Sequence, residues 1–121
     1  MELIRLPFEL TVCQVSSLPP ELLEEELLFL GKTEEELSLV CRRECVPAET
    51  INREDGWRAF RIGGVLDFSL TGILSPIAAL LAEARIGIFA LSTYNTDYIL
   101  VKEESLDRAA AILAGAGYTI R

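Results

Sequence analysis

Ile86-Gly-Ile-Phe-Ala-Leu-Ser-Thr-Tyr-Asn-Thr-Asp-Tyr-Ile-Leu-Val-Lys102 reads as two strands closed on a turn. Ile86–Thr93 is a strand with two apolar faces, Asp97–Lys102 is another, and Tyr94-Asn-Thr-Asp97 between them holds residues that tolerate tight turn geometry. Helical spacing flanks this hairpin on both sides. Ile73, Ile77, Leu80, Leu81 and Ala84 make one apolar stripe over the segment from about Thr71 to Ala84. Leu106, Ala109, Ala110 and Leu113 make a second stripe, capped by Ser105 and stopped by Gly115 and Gly117. Further out, Trp57–Leu66 has a strand's composition, with Phe60 and Ile62 on one face and Trp57, Ala59 and Arg61 on the other. The pair Gly63-Gly64 weakens its end, and Tyr118–Arg121 is a short last strand. The order strand, helix, strand, strand, helix, strand is that of a ferredoxin-like α+β layer, an antiparallel sheet covered on one face by two helices.

The start of the first helix stays open. Either Thr71 caps it with Gly72 in the first turn, or Ser75 caps it with Pro76 at the first helical position, where a missing N–H costs nothing. On both choices free backbone N–H groups cluster between Thr71 and Ile77.

The first half is less regular. Phe8–Val15 and Glu36–Cys41 alternate as strands. Between them, Pro19–Gly31 is either one helix, or a helical turn at the prolines followed by a buried strand over Leu27–Leu30; periodicity does not separate the two. Glu49–Gly56 is polar and turn-rich and is the expected linker. No direct repeat is visible in the letters.

Composition bounds the function. In 121 residues, half are hydrophobic and the net charge is −8, which fits one compact domain or two small modules and a surface that repels phosphate backbones and anionic membranes. No apolar run approaches the roughly 20 residues that cross a bilayer, and Met1–Pro7 lacks a signal peptide's order, so a cytoplasmic protein is expected, with no nucleic-acid or membrane partner. Cys13, Cys41 and Cys45 are an odd set, which suits a reducing compartment and buried packing. On one continuous strand Cys41 and Cys45 would point to the same face. Without histidine, the familiar triads and most zinc sites are out of reach, so no metal and no cofactor are expected.

What remains is a binding feature. Asp67-Phe-Ser-Leu-Thr-Gly72-Ile-Leu74 opens a helix, and a glycine there lets a small anion approach the free N–H groups. Gly72 is equally well explained as a turn residue without Cβ, Asp97 as a turn-capping carboxylate, Tyr94 as hairpin packing, and Ser69 and Thr71 as local caps. The acids at Glu21, Glu24–Glu26 and Glu34–Glu36 read as a solvated rim.

With Trp57-Arg-Ala-Phe-Arg-Ile62, Asp67–Leu74 and Phe89–Val101 in order and an Ala-rich helix behind them, residues 57–121 resemble the ACT domains, which are ligand-responsive regulatory modules. Within that family they are similar to the small ACT-like proteins related to aspartate kinase regulatory domains and to the CASTOR-type arginine sensors. The resemblance implies a reduced, intertwined ACT-like unit over residues 1–56 followed by an ACT domain over 57–121. It also implies a ligand at an ACT–ACT interface, an amino acid or related small metabolite. Carried onto matching positions, it gives Gly72 and Ile73 backbone contacts to the ligand's head group, Asp67 and Ser69 support of the loop, and Tyr94, Asn95 and Asp97 the side-chain end.

The expected protein is thus a regulatory or sensory module, allosteric through the packing of its units, homodimeric, without catalysis of its own, and acting on a regulated enzyme partner that the sequence does not name. Two rivals stand beside it: an interaction module that kept the fold and lost the pocket, and a small enzyme using Asp67, Asp97 or Tyr98 as acid or base.

Overall fold

A computed structural model describes residues 1–64 and 71–121. Asp67 and Ser69 therefore lie outside the described residues. Among the described residues there are eight strands: β1 (Glu2–Arg5), β2 (Leu10–Gln14), β3 (Leu28–Lys32), β4 (Leu37–Arg42), β5 (Asn52–Ile62), β6 (Phe89–Ser92), β7 (Asp97–Lys102) and β8 (Thr119–Ile120). Two helices, α1 (Leu74–Glu83) and α2 (Leu106–Gly115), accompany three short 3-10 turns at Pro20–Glu24, Arg43–Cys45 and Glu103–Ser105.

Two compact units result, one of Phe8–Trp57 and one of Met1–Pro7 with Arg58–Arg121. The second has the βαββαβ order expected of it, β5-α1-β6-β7-α2-β8. Its strands neighbour one another in the order β6-β7-β5-β1-β8, with β1 antiparallel to β5 and parallel to β8. Ile77 and Leu81 of α1 and Leu106, Ala109 and Leu113 of α2 bury against Leu3, Phe60, Ile62, Ile99 and Val101 of the sheet. Every residue of the expected stripe on α1 belongs to this core or packs on it. Leu81 is fully buried, and Leu81→Ala would leave a cavity costing about 2–5 kcal/mol.

The first unit is the same plan with its helices shrunk to single turns. Its order is β2, turn, β3, β4, turn, β5, and its strands run β3-β4-β2-β5, all antiparallel. Leu22 from the Pro20–Glu24 turn covers Cys13, Val15 and Leu39 in a small core. Of the two readings left open for residues 20–30, a proline turn followed by a strand is the one adopted. That strand is an edge rather than a buried one: Leu28 and Phe29 are half-buried and Leu30 is exposed.

A repeat not visible in the letters shows in the hydrogen bonds. Phe29 faces Val40 and Lys32 faces Leu37; 60 positions on, Phe89 faces Leu100 and Ser92 faces Asp97. The Thr33 N–H donates to the Glu36 carbonyl at 2.9 Å and the Thr93 N–H to the Thr96 carbonyl at 2.9 Å. Each hairpin runs into a 3-10 turn, Arg43–Cys45 and Glu103–Ser105. Main-chain geometry repeats where most side chains do not.

Several expectations are corrected. Asn52–Gly56 is not a linker but the first part of β5, paired with β2. Its exposed polar residues suit the edge of its unit's sheet. Leu10 pairs with Trp57 and Val12 with Glu54, so β5 carries one extra residue, a bulge that Gly56 accommodates at φ +84°. Met1–Pro7, expected with the first unit, groups with the second because Leu3 pairs with Ile62 and fills its core. Neither expected cap starts α1: Ile73 is the N-cap, without a side-chain hydrogen bond, and Pro76 sits inside the first turn, where no N–H is needed. Ser105 precedes α2 but likewise makes no side-chain cap bond. Cys41 and Cys45 do not share a strand, since β4 ends at Arg42 and Cys45 lies in the 3-10 turn.

Candidate functional site

The second unit's hairpin ends in a self-supporting turn. Besides the Thr93–Thr96 backbone bond, the Thr93 hydroxyl donates to the Thr96 carbonyl at 3.2 Å and accepts from the Thr96 N–H at 3.4 Å. The buried Thr96 hydroxyl donates to the Ile62 carbonyl at 2.8 Å, pinning the turn to the end of β5. That pin leaves a pocket of about 360 Å³ lined by Arg61, Gly64, Thr93, Asn95, Thr96 and Tyr98. Among the described residues the lining combines one guanidinium, three hydroxyls and one amide, and no acid. Among the described residues no ion pair engages Arg61. A guanidinium so placed can take a carboxylate in a two-toothed hydrogen bond, while the Asn95 amide can donate or accept beside it; the Thr93 and Thr96 hydroxyl protons are already committed to the Thr96 and Ile62 carbonyls.

The residues expected at a site are only partly gathered here. Asn95 lines the pocket. Tyr94 stands at the turn's tip, 80% exposed. The Asp97 carboxylate accepts the Ser92 hydroxyl at 2.6 Å across the hairpin, and strand alternation puts it on the face opposite Tyr98. Gly72 has φ +70° with open space around it, as a turn residue would, and Ile73 is half-buried against the helix-side core. Sequence reasoning missed Arg61, Thr93, Thr96 and Tyr98 as one group. The usable signals were Arg61 set between the apolar Phe60 and Ile62 at the end of a strand, and the threonine that recurs as Thr33 and Thr93 in matching turns.

The first unit's turn carries the opposite charge. A pocket of about 310 Å³ there is lined by Lys32, Thr33, Glu34, Glu35 and Glu36 together with Gln14–Ser16, Leu37 and Ile51. Elsewhere in that unit, the Thr11 hydroxyl donates to Asp55 at 2.7 Å and Arg53 donates to the same oxygen at 2.8 Å; the first bond, then the second, hold the Asp55 carboxyl below its usual range. The Cys45 thiol donates to Glu25 at 2.8 Å, and Arg42 donates to Glu25 at 2.9 Å, lowering that carboxyl in turn. Burial pushes the Cys41 thiol up to about 12, and Cys13 is raised for the same reason. These cysteines are packing residues, not nucleophiles. Among the described residues no group of three or more His, Cys, Asp or Glu is placed to hold a metal ion.

Comparison with known proteins decides the family. The ACT domain model matches residues 52–115, from the start of β5 to the end of α2 and more than half of the chain. The chain belongs to the ACT domain family. Among ACT relatives, the human protein named cytosolic arginine sensor for mTORC1 subunit 1 is 41% identical over 58 residues, 47% of this chain. The matched region is 18% of that sensor's length. A crystal structure of an Agrobacterium tumefaciens protein superposes with a TM-score of 0.89 at 28% identity, covering 99% of this chain and 91% of that one. The regulatory subunit of aspartate kinase from Thermus thermophilus shares the fold at 9% identity, with a TM-score of 0.65 and 97% of each chain covered. Among the described residues, no helix is long and apolar enough to cross a membrane.

Proposed function

We propose that this ACT protein is a cytoplasmic regulatory or sensory module that binds a small amino acid or related metabolite and has no catalysis of its own. The observation that carries the reading is the Arg61 pocket: a guanidinium ringed by Thr93, Asn95, Thr96 and Tyr98 in a chain whose net charge of −8 otherwise repels small anions. Its volume of about 360 Å³ is at the small end of ligand sites, which suits a metabolite of amino-acid size. The ligand's carboxylate pairs with Arg61, and a neighbouring ACT unit completes the site. A ligand that prefers one packing of adjoining units over another biases that packing, which is the whole of the regulatory mechanism. An amino-acid ligand also accords with the named role of the arginine-sensor relative.

A second reading, a module that kept the fold and lost its ligand, draws on Asp97, whose carboxylate is occupied by Ser92. Thermal melting against the twenty amino acids separates the two. Ligand at a hundredfold its Kd stabilises by about 2.7 kcal/mol, several degrees in Tm for a chain of this size. The sensor gives such a rise for one chemical class, and Arg61→Gln, melting like the parent when unliganded, abolishes it. Flat responses throughout favour the second reading, and a rise that survives Arg61→Gln removes the pocket from the account.

A further inference from the structure

β3 is the outer strand of the first unit's sheet and pairs with β4 alone among the described residues. The Thr33–Glu36 bond fixes the phase of that pairing: Gly31–Ser38 and Phe29–Val40 are bonded pairs, and Lys32–Leu37 and Leu30–Leu39 are not. The N–H and C=O groups of Leu28, Leu30 and Lys32 therefore point away from the sheet, and neither a proline nor a bulge interrupts this edge. Leu30 stands opposite Leu39 and shares its face, the one that carries the small core under Leu22. Helices cover the equivalent face of the second unit. Here only single turns do, and Leu30 is left 48% exposed at the position where the second unit has Ala90.

Charge decides what can cover this edge. Seven glutamates and one lysine lie between Glu21 and Glu36. Glu25 accepts from Arg42 and Cys45, and Glu36 from the Ser38 hydroxyl. Among the described residues no ion pair engages Glu24, Glu26, Glu34 or Glu35, so both ends of the edge carry uncommitted carboxylates. At the Lys32 end, Glu34 and Glu35 line the pocket of about 310 Å³ together with the apolar Val15, Leu37 and Ile51. Apolar walls beside carboxylates suit the methylene stem and cationic head of a lysine or arginine side chain. Lys32 lies between the two acidic ends, so the middle of an arriving strand is best uncharged. The same acids repel a second copy of this chain and attract a cationic one.

We propose that the β3 edge takes, as an added strand, an extended segment of a partner protein that is apolar at its centre and basic at its ends. Main-chain bonds to Leu28, Leu30 and Lys32 hold the segment, Leu30 meets its apolar centre, and the carboxylates at the two ends select its basic residues. The surface lies wholly within the first unit and does not depend on what the Arg61 pocket binds.

Fluorescence anisotropy tests this with the full-length chain titrated into a labelled peptide of alternating valine and threonine with arginines at each end. Saturable binding is expected at chain concentrations below about 1 mM, weakening as salt is added. A peptide of the same charge whose centre is broken by prolines, and so cannot pair as a strand, does not bind, and neither does the peptide with glutamates at its ends. Glu34→Gln/Glu35→Gln weakens binding about fivefold. Leu30→Pro abolishes it by deleting an outward N–H; if that variant does not fold, the proline-broken peptide reads the same loss from the partner's side. The proposal is overturned by the absence of saturable binding, by equal binding of the proline-broken peptide, which would mean charge attraction alone, or by a helical circular dichroism signal from the bound peptide. Full affinity in the glutamine variant or in folded Leu30→Pro overturns it as well.

Discussion

Arg61 owes its position to strand alternation: Phe60 and Ile62 are held in the core, so the residue between them must leave on the other face, beside Tyr98. Arg61→Lys keeps the charge and loses the planar fork, so ligand affinity drops by an amount between those of the parent and Arg61→Gln, measurable by calorimetric titration. Gly72, the position first marked for head-group contact, is a poor probe of binding, because at φ +70° any side chain costs about 1–2 kcal/mol whether or not a ligand is present. Asp55 gives a prediction in pH. Its folded-state carboxyl lies below the ordinary 3.8, so it contributes stability above that value and loses it as the pH falls through the folded value. Urea melts below pH 4 should show a shallower acid decline in Asp55→Asn than in the parent. The cysteines predict a labelling order: half-buried Cys45 reacts first with a thiol reagent at pH 8, and buried Cys13 and Cys41 only in denaturant.

Among the elements, those with long periodic faces were legible. α1, α2, β7 and the hairpin turn stand where their residues place them, because Ile77, Leu81, Leu106 and Leu113 had a whole sheet face to bury against. Asn52–Gly56 was not legible, since a strand on its unit's edge can be polar and the Gly56 bulge breaks the alternation that would have revealed it. β1 was missed because four residues carry no period, and its one decisive residue, Leu3, acts through a partner 59 positions away, Ile62. Of the site, Asn95 was legible as a turn residue, whereas Arg61 and Tyr98 lie on strands that meet only in the sheet. The matching turns carry a prediction of their own. Thr93→Ala removes the hydroxyl that braces the Thr96 N–H and should destabilise by about 1 kcal/mol in denaturant melts; Thr33→Ala, in the exposed counterpart, should cost no more.

On the scale of the whole molecule, one plan has been used twice with unequal outcomes. The first unit has single 3-10 turns where the second has α1 and α2, and three glutamates on its turn where the second has a neutral turn beside an arginine. Under the proposed function, the difference in charge places carboxylate binding in the second unit. Backbone amide spectra of the ¹⁵N-labelled chain, titrated with amino acids, test that assignment residue by residue. The account predicts that one class of amino acid shifts Arg61, Gly64, Asn95, Thr96 and Tyr98 and spares Thr33–Glu36. Saturable shifts confined to the Thr33–Glu36 turn, or no shift in the second unit with any amino acid, would contradict it.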